Sequence, residues 1–116
     1  MTLKRIGAGD RMSDAVIHNG MVYLAGVVPE KARGKSIKEQ TQDILQQIDE
    51  VLKEAGTDKT RIVKANIWLT DIKTWAQMNE AWDAWVVKGQ TPGRATVEAK
   101  LAGEGINVEI MVEAAI

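Results

Sequence analysis

Between Ser36 and Gly56 the chain carries a long helix signal with both ends marked. SIKEQ is a capping box, in which Ser36 accepts from the backbone N–H of Glu39 and Glu39 reaches back. Ile37, Ile44, Leu45, Ile48, Val51, Leu52 and Ala55 then recur at helical spacing, and Gly56 is placed to end the helix in the left-handed conformation. A second such segment runs from about Thr74 to Val87. Trp75, Met78, Trp82, Trp85 and Val86 form its stripe, and Gly89 is placed to stop it. A helix with one apolar stripe has to lay it on another layer, so the remaining residues must supply that layer.

They read as strands. LKRI is a short edge strand broken by Gly7 and Gly9. Asp14–His18 and Met21–Ala25 flank Asn19-Gly20, the dipeptide best suited to a type I′ hairpin turn. Arg61 to Leu69 is mostly apolar and branched, as expected of a central strand partly covered on both faces. Near the C-terminus, Arg94, Thr96, Glu98 and Lys100 alternate with Ala95, Val97, Ala99 and Leu101. Asn107 and Glu109 then alternate with Val108 and Ile110. This stretch reads as a second hairpin. If Leu101 pairs with Ile106, Arg94 faces Glu113 and Glu98 faces Glu109, the latter an unfavourable like-charge pair.

The expected order is β-β-β-α-β-α-β-β, an α/β (α+β) domain with both helices on one face of a mixed sheet of about six strands. The other face would then carry Arg94, Thr96, Glu98, Asn107, Glu109, Met111 and Glu113, a set too polar for a core. It is either solvated or the wall of a subunit interface.

The chain's 116 residues fit a single domain over 1–116. A net charge of −1 advertises no nucleic-acid footprint, so no nucleic-acid partner is expected. With no Cys there is no thiolate nucleophile or Cys-based zinc site, and with His18 alone a His-based metal site or catalytic triad is improbable. No apolar run reaches membrane-spanning length and the N-terminus lacks a secretory h-region, so the expected location is cytoplasmic, away from membranes. Chemistry here must come from carboxylates, Arg, Lys, backbone and water.

Several blocks in order, MVYLAGVVPE, VKANIWLTDI, MNEAW, TPGRATVEA and the final INVEIMVEAAI, resemble the Rid family of reactive intermediate deaminases, also called YjgF-like, over essentially the whole chain. The resemblance implies a chorismate-mutase-like fold, assembly as a homotrimer, ligand pockets in clefts between subunits, and hydrolysis of enamines and 2-imino acids to 2-keto acids and ammonium without metal or organic cofactor. By the family's motifs, Arg94 in Pro92-Gly93-Arg94 holds the substrate carboxylate, and Glu109 in Val108-Glu109-Ile110 holds or activates water. Thr96, two residues after the Arg, sits beside the ligand, and the backbone at Gly26 lines the pocket. Met12 stands where the family commonly has a pocket Tyr. Ala25 and Val27 replace its usual Ser and Gln, which makes the pocket more apolar.

Each of these residues also has a plainer reading. Arg94 in isolation suits a cross-strand ion pair. The Trp stripe suits core packing, with Trp85 the member best placed to reach a cleft. Asn79 suits a capping or inter-element hydrogen bond. Two other functions compete with imine hydrolysis: a non-catalytic binder of small carboxylates such as keto or amino acids, and, against the acidic charge balance, a ribonuclease or translation inhibitor.

Overall fold

The computed structural model describes residues 2–116. Three strands open the chain, β1 (Lys4–Ile6), β2 (Ala15–His18) and β3 (Met21–Leu24). Helix α1 (Ile37–Ala55), strand β4 (Ile62–Leu69), helix α2 (Trp75–Trp85), strand β5 (Gly93–Glu98) and strand β6 (Val108–Ala115) follow. The expected order of elements holds, with short 3-10 turns ahead of β4 and α2. Both helices pack on one face of a six-stranded mixed sheet, the chorismate-mutase-like arrangement.

The local signals formed as their chemistry dictates. Ser36 accepts from Glu39 N–H at 3.1 Å and donates to the Glu39 carboxylate at 3.0 Å, closing both halves of the capping box. Gly56 ends α1 at φ 88°, where a side chain would be strained. Asn19 and Gly20 both take positive φ, and β2 and β3 pair directly across them. α2 stops earlier than expected, at Trp85, with Val86 already extended. Gly89 lies in the turn beyond it.

The C-terminal stretch corrects the hairpin reading. The sheet order is β1-β2-β3-β6-β4-β5, so β5 and β6 do not touch. β5 runs parallel to β4, with Ala65 beside Arg94, Ile67 beside Thr96 and Leu69 beside Glu98. β6 lies antiparallel to β4 on its other side, with Trp68 beside Glu109. Parallel strands need a crossover, and α2 between β4 and β5 supplies it. The chain leaving β5 has to cross the end of β4 before β6 can enter the sheet, and a tight turn cannot span that. The expected pairs Arg94–Glu113 and Glu98–Glu109 do not form, and the like-charge conflict vanishes with them.

Register also corrects the composition of the open face. Ala65, Ile67 and Leu69 are buried under the helices, and side chains paired in register share a face, so Arg94, Thr96 and Glu98 point toward the helices. Glu109, Met111 and Glu113 point the other way, since Val108, Ile110 and Val112 between them are buried. Tyr23, Trp68 and Val97 join that open face through the same alternation.

The core runs between sheet and helices, with Ile44, Leu45, Ile48 and Leu52 of α1 against Val22, Ile67, Val108 and Ile110. The loop carrying Gly103 and Gly105 is tied down by Gln40, whose side-chain amide donates to Lys35 O and Gly105 O and whose oxygen accepts from Asn107 N–H. No helix of the described residues is long and apolar enough to cross a membrane.

Candidate active site

Arg94 is the first side chain that β5 directs toward the helix layer. Its Nη1 donates to Asn79 Oδ1 at 2.8 Å, and its Cζ stands 5.3 Å from the centre of the Trp82 ring. Asn79 and Trp82 sit three residues apart on α2, so one helix face presents both. The MNEAW word therefore contains a seat for the Arg: Asn79 makes the inter-element hydrogen bond that its plainer reading allows, while the core reading of Trp82 does not anticipate its contact with Arg94. Burial lowers the affinity of the guanidinium for its proton and nearby Asp83 raises it, but an Arg stays charged. Among the described residues the ion pair formed is Lys38–Glu80, on the surface. Arg94 is thus a half-buried cation, aimed by an amide and a ring, with most of its fork of donors unengaged.

Thr96 follows on the same side of β5, and its hydroxyl is buried without a hydrogen-bond partner. Glu98 beyond it accepts from the backbone N–H of Ile72 at 3.1 Å, which fixes the start of the second helical segment over the end of the strand.

Glu109 belongs to a different place. It lies on the open face of β6, half-buried, and burial raises its pKa above the ordinary carboxylate value. Its carboxylate rests against Gly26, where a β-carbon would collide with a carboxylate oxygen. A side chain at position 26 would push the Glu109 carboxylate aside, so glycine there lets the two lie in contact without an unusual φ. Val27 bridges to Ile110 in both directions, which holds Gly26 in position. Gly26 also lines a cavity of about 320 Å³ together with Met12, Ala25, Val27, Gln47 and Glu50.

The structure therefore sorts the expected residues into two half-sites. Arg94 and Thr96 share one, with Asn79 and Trp82. Glu109 and Gly26 make the other, while Met12 meets Gly26 only across the cavity that α1 also lines. The halves lie on opposite faces of the sheet, with β4 between their strands, and a single chain does not bring Arg94 and Glu109 together. Trp85 joins neither as a lining residue. Its Nε1 donates to Asp49 at 3.0 Å, Lys59 covers its ring, and it leans on Trp82 at 5.5 Å between ring centres. It is a clasp between α1 and α2, one ring removed from Arg94. The exposed indole of the helix is Trp75, which sequence reasoning passed over because its spacing matched the buried stripe.

The family described as Endoribonuclease L-PSP matches residues 2–116. The chain belongs to the Rid family. The Escherichia coli RutC family protein YoaB is 47% identical over 116 residues, covering 100% of both chains. A crystal structure of a YjgF-family protein from Neisseria meningitidis superposes with a TM-score of 0.95 at 45% identity, covering 99% of this chain and 95% of that one. A more distant relative, 31% identical over 87% of this chain and 55% of its own length, is the chloroplastic Reactive Intermediate Deaminase A of Arabidopsis thaliana. The half-site residues of this Rid chain can thus be weighed against a family that includes a deaminase.

Proposed function

We propose that this protein hydrolyses 2-imino acids, and the enamines that tautomerise to them, to 2-keto acids and ammonium in clefts formed between its own copies. The observation that carries the reading is the pair of half-buried, unpaired charges on opposite faces of one sheet. Neither forms an ion pair among the described residues, Asp83 acting on Arg94 only from beyond ion-pair distance. Burying a charge without such a partner is costly, so each of these groups is held for something outside its own chain. A second copy that lays its Glu109 face near the first copy's Arg94 completes a site with a cation and a base. A closed ring of three copies makes three such clefts, each contact being head-to-tail.

In the cleft Arg94 grips the substrate carboxylate through two parallel N–H···O bonds, which fix orientation as well as charge. Ionised Glu109 from the neighbouring copy takes a proton from water as the water oxygen bonds to the imine carbon. The C=N electron pair of the protonated imine moves to nitrogen, Glu109 passes its proton to that nitrogen, and the C–N bond breaks as the added hydroxyl gives its proton to the departing ammonia, leaving the keto acid and ammonium. Imines of this kind are already reactive, so positioning supplies most of what is needed. The raised pKa of Glu109 makes it a stronger base than an exposed carboxylate, and turnover should rise as pH climbs through that raised value. The Arabidopsis relative, a Reactive Intermediate Deaminase, supports the reaction class.

The test generates 2-imino acids in situ with an amino acid oxidase and follows their loss against a semicarbazide trap. Arg94→Ala and Glu109→Gln should each lose about 100-fold or more in kcat/KM. Mixing the two inactive variants after unfolding and refolding together should restore activity in roughly a quarter of the clefts, those that pair an intact Arg94 with an intact Glu109. No recovery would rule out a shared cleft. Binding of 2-keto acids without any turnover by wild type would assign the same clamp to a carboxylate-binding protein.

A further inference from the structure

Trp75 is the first residue of α2 and is 50% exposed, while Met78 and Trp82 on the same helix are buried. Residues 75, 79 and 82 are spaced i, i+4 and i+7, so they share one helix face. That face is anchored over β5 at both ends. Asn79 accepts from Arg94, and the Ile72 N–H ahead of the helix donates to Glu98. The helical segment therefore runs antiparallel to β5, with Trp75 between its two anchor points at residues 72 and 79. β5 is the outermost strand of the sheet, so no further strand of this chain closes that side. Ile72, itself 41% exposed, extends the apolar rim.

A single exposed aromatic residue is ordinary on a protein surface. This one is set apart by its place one helical turn from Asn79, whose amide oxygen holds a guanidinium with most of its donors unengaged. Four residues of helix span about 6 Å along the axis. A branched or aromatic side chain on a carboxylate held by Arg94 covers that reach, and a methyl group does not. An indole offers a large rigid apolar face with few rotatable bonds, so little order is lost when a ligand settles on it.

We propose that Trp75 selects the substrate of the Arg94 site. Its indole receives the side chain of the 2-imino acid whose carboxylate Arg94 holds, and the site favours side chains of leucine or phenylalanine size over that of alanine. This rests on the reading of Arg94 as a carboxylate anchor.

The experiment compares wild type, Trp75→Ala and Trp75→Phe with imines made from alanine, leucine and phenylalanine. Calorimetric titration with pyruvate, 2-oxo-4-methylpentanoate and phenylpyruvate runs in parallel. Trp75→Ala should lose about tenfold in kcat/KM on the two large imines, through KM, and less than about twofold on the small one. Trp75→Phe should stay within about threefold of wild type on all three. Thermal midpoints close to wild type would show that the fold is intact, as expected for a half-exposed side chain. Equal losses on all three imines, or no loss on any, would overturn the assignment while leaving the deaminase reading in place. If wild type turns over no imine, the deaminase reading fails and titration decides alone: weaker binding of the two large keto acids to Trp75→Ala, with pyruvate unchanged, upholds Trp75. Wild type binding none of the keto acids overturns it.

Discussion

Gln40 and Arg94 both carry polar groups into the layer between sheet and helices, and the fold treats them in opposite ways. Gln40 is fully buried, and its amide is bonded to Lys35 O, Gly105 O and Asn107 N–H. Its neighbour Asp43 accepts from the N–H groups of Glu30 and Ala32 and from Gln47. Around this end of α1 the polar atoms find their partners inside the chain, and two loops, the one before α1 and the one between β5 and β6, are sewn to the helix as a result. Arg94 keeps one side-chain bond for five donors, and Glu109 rests against Gly26 with no ion pair among the described residues. The first region uses polarity to hold the fold together. The second holds polarity ready for a group the chain does not contain.

The largest stability effect expected from this contrast is at Gln40. Gln40→Leu keeps the bulk and deletes the amide, so Lys35 O and Asn107 N–H lose their Gln40 partner and Gly105 O keeps only the Gly34 N–H. That should cost about 3 kcal/mol, or about 10 °C in thermal midpoint at fixed protein concentration. Arg94→Leu should cost far less, because it strands only the Asn79 amide. Circular dichroism melts of the two variants side by side test the contrast, and equal losses would break it.

Asp43 comes next. Burial pushes its pKa up, but the N–H groups of Ala32 and Glu30 and the Gln47 amide pull harder, and the net shift is downward. A carboxylate whose pKa falls on folding adds stability above its unfolded pKa and loses it as pH drops through the lowered folded value. Water screens this site, so Asp43→Ala should cost about 1 kcal/mol at pH 7 by urea titration. The difference from wild type should shrink as pH falls below the ordinary Asp range. A difference independent of pH would mean that the carboxylate charge contributes nothing to the clasp.

The two regions were also unequally legible in the sequence. Ser36, Glu39, Gly56 and Asn19-Gly20 act within a few residues of themselves, so their roles follow from spacing. The capping box, the left-handed cap and the hairpin turn all formed. Element order was legible for the same reason. Strand partners were not, because alternation says that Arg94 and Ala95 point to opposite faces and leaves open which strand lies beside them. The stretch from Arg94 to Ile110 alternates like a hairpin, yet the β4-α2-β5 crossover takes β5 to the side of β4 away from β6. That placement turned Arg94 and Thr96 toward α2. Asn79 and Trp82 as the seat of Arg94, and Trp75 as the exposed indole, depend on the same long-range pairing. The resemblance to the Rid family supplied Arg94 and Glu109 without that geometry, and their separation onto two faces was legible only in three dimensions.

Glu109 should show the smallest stability effect, and one of opposite sign. Burial raises its pKa, so the folded chain binds the proton more tightly than the unfolded chain. Stability is then greatest below the ordinary Glu pKa and declines as pH rises through the window up to the raised folded value. At pH 7 the ionised group is a burden that Glu109→Gln removes, a gain of no more than about 0.5 kcal/mol once screening by water is allowed for. Below the window the two proteins should unfold alike. The same substitution removes the base from the cleft, so the more stable variant should be the inactive one. A residue kept for structure loses stability and activity together when replaced; one kept for chemistry can gain the first while losing the second. Urea titrations of Glu109→Gln and wild type at pH 4 and pH 7, beside the imine-loss assay, separate the two cases. A variant that is less stable at pH 7 would place Glu109 with Gln40, among the groups that hold the fold.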